Sequence, residues 1–273
     1  MLHKPEQWAS EYAVPFQDRS VVQAYRHRPP YPPEVFEILV GLIKTEPGSA
    51  RHVLDVGCGI GYIARSLVEH VERLDAVDCS WPMIEEGQRL PNGDHPRLRW
   101  LYGRAEEVAL EPPYALVTAG ESLHWMEWNI VLPRFQEVLL PGGYLAILDH
   151  VMIPEPWSLL GEILPRYRTN SYAGPYDMLE ALEEHGLFHK VGEKKTEPVP
   201  LVQAVEDFIE SYHSRSGFSR ERMGQAQAEA FDQEARSILL RTYSEGVIAF
   251  RVTGRIAWGL PASAGRKSKQ DVS

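Results

Sequence analysis

A turn built on three alternating glycines, Gly57, Gly59 and Gly61, constrains the fold of this chain more than any other part of its sequence. The apolar run at 53–56 before the turn is typical of a buried parallel strand, and apolar residues recur at helical spacing over 62–71 after it. Glycine accepts positive φ and lets the backbone approach a ligand without a Cβ in the way. The pattern therefore predicts a strand, a ligand-binding turn and a helix.

The spacing of the glycines and one acidic residue narrow the choice of ligand. The turn reads GxGxG, and Tyr62 stands where a GxGxxG dinucleotide turn has its third glycine. Asp78 ends the next predicted strand, 74–77, and an ionised carboxylate there can accept hydrogen bonds from both hydroxyls of an adenosine ribose. The alternative is a surface aspartate that caps the next helix, a role that Ser80 also suits. We expect a nucleoside cofactor other than NAD.

The remaining chain alternates strand and helix patterns. Further strands are predicted at 98–102, 114–119, 144–148, 189–199 and 247–258, and helices at 33–43, 130–140, 176–185, 203–214 and 219–243. Ser219 is the expected N-cap of the last helix. This alternation predicts an α/β fold with a doubly wound sheet of seven strands, in which ligands bind outside the carboxyl ends of the strands.

Composition sets limits on the partners and the compartment. A formal net charge of −10 disfavours a nucleic-acid footprint, and 44% hydrophobic residues suffice for one large core or a core with a cap. The only two cysteines, Cys58 and Cys79, cannot build a disulfide framework, and we expect two reduced, mostly buried thiols. No apolar run of about 18 residues occurs. We expect a cytoplasmic monomer or homodimer that binds small molecules, with no nucleic-acid, membrane or metal partner.

The sequence divides into four parts. Residues 1–32 form an aromatic and basic N-terminal leader that ends in a proline-rich stretch and is expected to act as a lid. Residues 33–150 are the predicted Rossmann-like, cofactor-binding core, and residues 151–259 hold the remaining core strands and a helical substrate cap. Residues 260–273 are small, polar and basic, and are predicted to be disordered.

Five motifs in a fixed order carry a resemblance to a known family. They are VLDVGCGIG at 53–61, DCSWPM at 78–83, GRAEEV at 103–108, ESLHW at 121–125 and LPGGYL at 140–145, with YRHRPPYPP at 25–33 before them. On these motifs the chain resembles the class I S-adenosylmethionine-dependent methyltransferases, and within them the methyltransferase type 11 group that includes trans-aconitate methyltransferase. The resemblance implies a mostly parallel sheet in the order 3-2-1-4-5-7-6 with the last strand antiparallel, and a helical cap that forms a substrate lid together with the leader.

The resemblance also assigns residues to the cofactor, S-adenosyl-L-methionine. Gly57 and Gly59 would line it, Asp78 would hold its ribose and Met83 would pack on its adenine. The other positions that the resemblance implies for cofactor binding are Gly61, Cys79, Ala105, Glu106, Ala119 and Gly120. Arg104 stands where the group often has an aspartate.

The physical chemistry of the predicted sheet edge agrees with a sulfonium cofactor. The pyrophosphate of NAD favours helix N–H groups and a GxGxxG turn, whereas S-adenosylmethionine carries a sulfonium cation and an amino acid end. Acidic side chains and aromatic ring faces attract such a cation. The candidates for this role are Tyr25, Tyr31, Asp55, Glu121 and Trp125. Arg28 can pair with the carboxylate of the cofactor; the alternative for Arg28 and Tyr31 is a structural role in a leader packed on the core.

We therefore predict an S-adenosylmethionine-dependent methyltransferase that acts on a small molecule, with O-methylation of a carboxylate or hydroxyl preferred. The alternatives are N- or C-methylation of a secondary metabolite or quinone, a cofactor-binding regulator without transfer activity, and an NAD-dependent oxidoreductase. A hydroxyl acceptor gains from a base, and His124 is the candidate, with a structural or pocket-lining role as the alternative. The substrate-binding candidates are Tyr12, Phe16, His124, Trp125 and Tyr212.

Overall fold

The computed structural model describes residues 10–43, 50–171, 174 and 176–262, with side chains from Ala13 onward. The side chain of Tyr12 and the predicted tail beyond residue 262 lie outside the described residues. The strands are β1 (His52–Val56), β2 (Arg73–Asp78), β3 (Leu98–Tyr102), β4 (Tyr114–Gly120), β5 (Leu139–Ile153), β6 (Phe188–Lys195), β7 (Val199–Ala204) and β8 (Val247–Pro261).

Ten α-helices lie in the described part of the chain. They are α1 (Arg19–Tyr25), α2 (Pro33–Leu42), α3 (Tyr62–Leu67), α4 (Trp81–Arg89), α5 (Trp128–Val138), α6 (Leu164–Tyr167), α7 (Met178–Glu184), α8 (Val205–Tyr212), α9 (Arg220–Met223) and α10 (Gln225–Thr242). Proline begins α2 as expected, because its fixed φ suits the first helical turn. Helices lie between successive strands up to β6, except between β3 and β4, and this order confirms the predicted α/β class.

The sheet has the predicted order with one strand more than predicted. Its strands run β3-β2-β1-β4-β5-β8-β6, β8 lies antiparallel to β5, and β7 also pairs with β8. The strand predicted at 189–199 covers all of β6 except Phe188 and only the first residue of β7, and the two strands are separated near Pro198. Proline has no N–H to donate to a ladder, and the long β8 pairs with β6 through its second half and with β7 through its first.

Two other predicted boundaries are wrong. The helix expected at 219–243 is broken at Gly224, whose φ of 77° is outside the helical range, so that α9 and α10 are separate. Ser219 precedes α9, but its hydroxyl donates to Asp18 Oδ2 at 2.7 Å and caps no backbone N–H. The last strand continues past Trp258 to Pro261, into the segment predicted to be disordered.

Apolar clusters lie on both faces of the sheet. β1 and β4 are buried over almost their whole length, as expected for strands covered by helices on both sides. One cluster is centred on Phe135 of α5, and the opposite cluster contains Leu39 of α2 and Leu67 of α3. These two layers hold the carboxyl ends of β1, β2, β4 and β5 at one rim.

A third cluster forms the core of a cap above this rim. It joins α8 and α10 to the outer halves of β5 and β8, and the ring of Phe231, which is fully buried, lies at its centre. The cap and the N-terminal segment are linked by ion pairs and hydrogen bonds, among them Arg222 Nε to Asp18 Oδ2 at 2.8 Å. Helix α1 packs on α4 through Val21, Val22 and Met83, and so lies between the cap and the rim.

Candidate functional site

The glycine turn between β1 and α3 has the predicted backbone. Gly57, Gly59 and Gly61 have φ values of 63°, 56° and 72°, in the left-handed region that favours glycine. At Gly57 a Cβ would lie 2.5 Å from Cβ of Ser122, so a side chain at this position would clash with the segment that follows β4. The turn is tied to β2 by Cys58 N, which donates to Val77 O at 3.0 Å.

Asp78 connects this turn to the next βα connection. Its Oδ2 accepts from Gly59 N and its Oδ1 accepts from Ser80 N, both at 2.7 Å. Burial raises the pKa of the Asp78 carboxyl, and the two N–H groups oppose that rise. Ser80 Oγ accepts from Met83 N at 3.3 Å and so occupies the cap of α4. The capping role weighed for Asp78 therefore belongs to Ser80, and each carboxylate oxygen of Asp78 keeps a lone pair for a ligand.

A cavity beside Asp78, here called the glycine-turn cavity, encloses about 990 Å³ with its open mouth included. Eleven of the predicted cofactor- and substrate-binding residues line it: Phe16, Tyr25, Gly57, Gly59, Asp78, Cys79, Met83, Ala105, Glu106, Gly120 and Trp125. Arg104 also lines it and forms an ion pair with Glu106 at 3.3 Å. The expectation that both thiols are mostly buried is wrong for Cys79, which is exposed, whereas Cys58 is half-buried; both are free.

A second cavity, here called the leader cavity, adjoins the first at Tyr25, Gly57, Gly120 and Glu121. It is also lined by Arg28, Tyr31, Asp55 and His150.

Arg28 joins the N-terminal segment to the cap beside the leader cavity. Its Nε and Nη2 donate to Ser214 Oγ and Ser214 O, each at 2.8 Å, and its Nη1 donates to the Tyr25 hydroxyl at 3.2 Å. Its guanidinium lies 4.1 Å from the centre of the Tyr25 ring. These contacts correspond to the structural alternative for Arg28, although the residue still borders the cavity.

Four predicted site residues lie outside the walls of these two cavities, and one of them, His124, borders a third cavity. Gly61 is at the N-terminus of α3, where a Cβ would meet the ring of Trp100 at 2.4 Å. Ala119 is fully buried within β4, beneath the rim. Tyr212 is in the aromatic core of the cap, with its ring centre 5.3 Å from that of Phe218. Alternate residues of a strand face away from the rim, and residues of a packed helix face the core of the cap. A sequence motif alone does not show which way a side chain faces.

Asp55 is a buried carboxyl group at the wall of the leader cavity. Burial raises its pKa to about 7, although a hydrogen bond from Thr118 Oγ1 at 2.8 Å and one from the Ala64 N–H oppose the rise. Its Oδ2 is buried and has no hydrogen-bond partner among the described residues. A buried acceptor without a partner is costly, so this atom is suited to a ligand donor.

Glu121 lies where three cavities meet. It lines the glycine-turn and leader cavities and a third one, which borders His124, Asp149 and Tyr176. Its φ of 50° is unusual for a residue with a side chain, and the chain leaves the direction of β4 at this residue.

The charge state of Glu121 is set by opposing influences. Burial alone would raise the pKa of the Glu121 carboxyl, but the basic side chains of His150, Arg28 and Arg215 outweigh burial, so the pKa is lowered. His150 Nδ1 and Arg28 Nη1 lie 3.4 and 3.9 Å from its two oxygens. The carboxylate is therefore the ionised centre of the rim.

Sequence reasoning missed His150, Ser122 and Met126. Ser122 and Met126 line the glycine-turn cavity, and Ser122 Oγ donates to Val56 O at 2.7 Å, which fixes the segment after β4 against the turn. His150 lies two residues after the end of the predicted fifth strand, 144–148. Polar residues that follow parallel strands gather at one rim of the sheet, and this rule would have identified His150 from the sequence.

Comparisons with known proteins agree with this arrangement. Residues 53–143 match the model of a methyltransferase domain. This segment of the chain is therefore similar to methyltransferase domains. An uncharacterized methyltransferase of Mycobacterium tuberculosis H37Rv is 34% identical over 131 residues, which cover 47% of this chain and 50% of that protein. The malonyl-[acyl-carrier protein] O-methyltransferase of Halalkalibacterium halodurans is 30% identical, over 37% of this chain and 39% of that one.

Solved structures extend the likeness beyond the methyltransferase domain. A putative type II methyltransferase from Anaeromyxobacter dehalogenans has a TM-score of 0.61 at 22% identity, covering 86% of this chain and 99% of that one. A Geobacter sulfurreducens methyltransferase, solved with S-adenosyl-L-homocysteine, has a TM-score of 0.50 at 14% identity, covering 96% and 100%. At these identities the match concerns the fold. The chain spans about half the length of the first curated relatives that it matches. No described helix is long and apolar enough to cross a membrane.

Proposed function

We propose that this chain is an S-adenosyl-L-methionine-dependent methyltransferase that acts on a small molecule, with an oxygen acceptor, carboxylate or hydroxyl, preferred. The observation that carries the proposal is the Gly59–Asp78 contact at the wall of a large cavity on the sheet rim. At this contact a ligand can approach the backbone closely, and the carboxylate has lone pairs available to accept hydrogen bonds from it. The methyltransferase domain over 53–143 and the SAH-bound structural neighbour support it.

The residues of the two adjoining cavities fit the chemical groups of this cofactor. Asp78 would accept the ribose hydroxyls, and Met83, which is nearly fully buried, would offer its thioether chain to the adenine. The acids Asp55 and Glu121 and the ring of Tyr25 surround the junction of the cavities, where a cation would be stabilised. The unpartnered Oδ2 of Asp55 suits the ammonium of an amino acid end.

The chain would promote transfer mainly by alignment and by exclusion of water. S-adenosylmethionine, when bound, supplies a methyl group activated by a sulfonium. Phe16 and Trp125, whose ring centres lie 5.8 Å apart, close one side of the glycine-turn cavity. The Arg28–Ser214 link holds the N-terminal segment against the cap. Holding two reactants in register supplies about 7 to 11 kcal/mol of the barrier reduction in well-oriented systems.

We place the acceptor beside Glu121, where the three cavities meet. A carboxylate acceptor is already a nucleophile at neutral pH, whereas a hydroxyl benefits from a base. His124 remains our candidate pocket-lining residue for the acceptor. Its ring centre lies 4.7 Å from that of Trp125, and it borders the third cavity rather than the first two.

Calorimetry with S-adenosyl-L-homocysteine and with NADH tests the cofactor. We expect binding of the first and none of the second, and the reverse result would contradict the proposal. Asp94→Asn, at an exposed position far from the rim, is the matched control for substitutions of Asp78.

Donor consumption over two pools, one of carboxylic acids and one of phenols and alcohols, then tests transfer. Turnover on either pool supports a small-molecule O-methyltransferase. If a third pool, of amines, were the only one to give turnover, the preference for an oxygen acceptor would be wrong. Tight S-adenosyl-L-homocysteine binding with no turnover on any pool would favour the regulator.

A further inference from the structure

His150 is a histidine at the rim that the proposed function leaves without a role. It follows Asp149 in β5, its side chain is 10% exposed, and it borders the leader cavity. Its Nδ1 is buried, has no hydrogen-bond partner among the described residues and lies 3.4 Å from Glu121 Oε1. The imidazole therefore has a carboxylate beside Nδ1, and the residue borders a cavity.

The groups around His150 come from several segments of the chain. Glu121 follows β4, and Tyr31, which precedes α2, has its ring centre 5.4 Å from that of the imidazole. Asp149 is its neighbour in β5, and Arg255 of β8 offsets the charge of Asp149. Arg28 lies on the far side of Glu121, at 3.9 Å. The carboxylate is thus placed to stabilise an imidazolium at His150, while the phenol ring of Tyr31 limits the ring's rotation.

We propose that His150 is the general base of the transfer reaction, with Glu121 as its positioning residue, and that the acceptor is therefore a hydroxyl group, phenolic or alcoholic. This inference rests on the proposed function. The acceptor oxygen bonds to the methyl carbon while the carbon–sulfur bond breaks and its electron pair remains on sulfur. The proton of the acceptor O–H passes to Nε2 of His150, the ring nitrogen that does not face Glu121. The carboxylate of Glu121 balances the charge of the resulting imidazolium.

The geometry favours His150 over His124 as the base. His150 borders the same cavity as Tyr25, Gly57 and Gly120, which adjoin the glycine turn. His124 borders only the third cavity, on the other side of Glu121, together with Asp149 and Tyr176. A base must reach the proton beside the transferred methyl group, so the residue that shares a cavity with the turn is better placed.

The inference changes the expected acceptor class. A carboxylic acid is ionised at neutral pH and presents no proton to remove, so the His150–Glu121 pair would serve no purpose with it. A hydroxyl or phenol holds its proton until well above neutral pH, and a base typically gives it a rate gain of about 10²- to 10⁴-fold.

The test uses 4-nitrophenol, whose phenolate absorbs visible light, and the full chain saturated with S-adenosyl-L-homocysteine. At a pH where the free compound is mostly protonated, binding to the wild-type complex should raise the phenolate absorbance, because His150 takes the proton. His150→Gln should abolish the rise, Glu121→Gln should diminish it, and His70→Gln, at an exposed position, should leave it intact. No rise in the wild type, or an equal rise in His150→Gln, would overturn the proposal.

Turnover with S-adenosylmethionine gives a second readout. His150→Gln should lose about 10²- to 10⁴-fold in rate on unsubstituted phenol, and much less on 4-nitrophenol assayed as its phenolate. Equal losses on both, or a wild type that methylates benzoate but no phenol, would contradict a base at His150. If the wild type binds no S-adenosyl-L-homocysteine, the proposed function itself has failed, and calorimetry distinguishes that result.

Discussion

The rim of the sheet and the cap above it are built in different ways. At the rim, the segments that follow neighbouring strands bring a turn and carboxylates together, and backbone groups such as Gly59 N and Ser80 N hold the side chain of Asp78. In the cap, rings from distant parts of the chain pack together: Tyr167, Tyr212, Phe218 and Phe231 lie within 6 Å of one another in successive pairs. The rim is therefore organised for binding, and the cap for its own stability.

This difference teaches where specificity can be sought. A site made of backbone geometry tolerates few residue types, so its chemistry is visible in short motifs. A cap made of apolar packing tolerates many sequences of similar volume. Substitutions that separate binding from stability therefore test whether the two regions are as distinct as their contacts indicate.

The largest expected effect comes from the cap. Phe231→Ala removes a fully buried ring and should reduce the free energy of unfolding by about 3 to 5 kcal/mol. Urea unfolding measures the loss, and calorimetry at a temperature where the variant is folded should show S-adenosyl-L-homocysteine affinity close to wild type. Phe231→Leu is the control and should lose less. A parallel loss of binding and stability would mean that cap and rim are one cooperative unit.

At the rim the effect should appear in binding. Asp78→Asn keeps the shape of the side chain but removes the negative charge from a group that accepts two backbone N–H bonds. Hydrogen bonds to charged groups are worth about 1.5 to 3 kcal/mol, so S-adenosyl-L-homocysteine affinity should fall roughly 10- to 100-fold. Calorimetry against the Asp94→Asn control measures the change. An unchanged affinity would sink the ribose assignment.

The sequence predicted the rim better than the cap for the same reason. The positive φ at the three glycines follows from residue type and spacing, the order of the sheet follows from the family resemblance, and both are confirmed. Tyr212 was expected at the substrate and lies in the cap core, because helical periodicity shows that a residue is buried but not against what. The break at Gly224 was missed because the apolar periodicity continues on both sides of it.

The charge at the rim also depended on contacts that no motif contains. The pairing of Glu121 with His150 and Arg28 joins three segments that lie far apart in the chain. A sequence can place each of them at a strand end or in a leader, but not within 4 Å of one another.

Asp55 should make binding at the rim depend on pH. In the folded chain the pKa of Asp55 is about 7, above the ordinary 3.8. The stability that the fold gains with a neutral carboxyl is therefore fully present below about pH 4 and is lost as pH rises through about 7. The ionised form attracts a cation, so S-adenosylmethionine affinity should increase from pH 6 to pH 8, by less than about tenfold. Calorimetry at the two pH values checks this against Asp55→Asn, which should show a flatter dependence. An equal rise in that variant would assign the effect to another group.

The smallest expected effect lies where rim and cap meet. Ser214→Ala removes the oxygen that accepts from Arg28 Nε but leaves the bond from Arg28 Nη2 to the backbone carbonyl. One such hydrogen bond contributes about 1 kcal/mol, so amides of α1 should exchange up to roughly fivefold faster, with little change in global stability. Ser66→Ala, which loses a bond within α3, is the control and should leave exchange in α1 unchanged. If the amides of α8 and α10 also exchanged faster, the Arg28 contact would stabilise the cap itself. Helix α1 would then belong to the cap rather than to the rim.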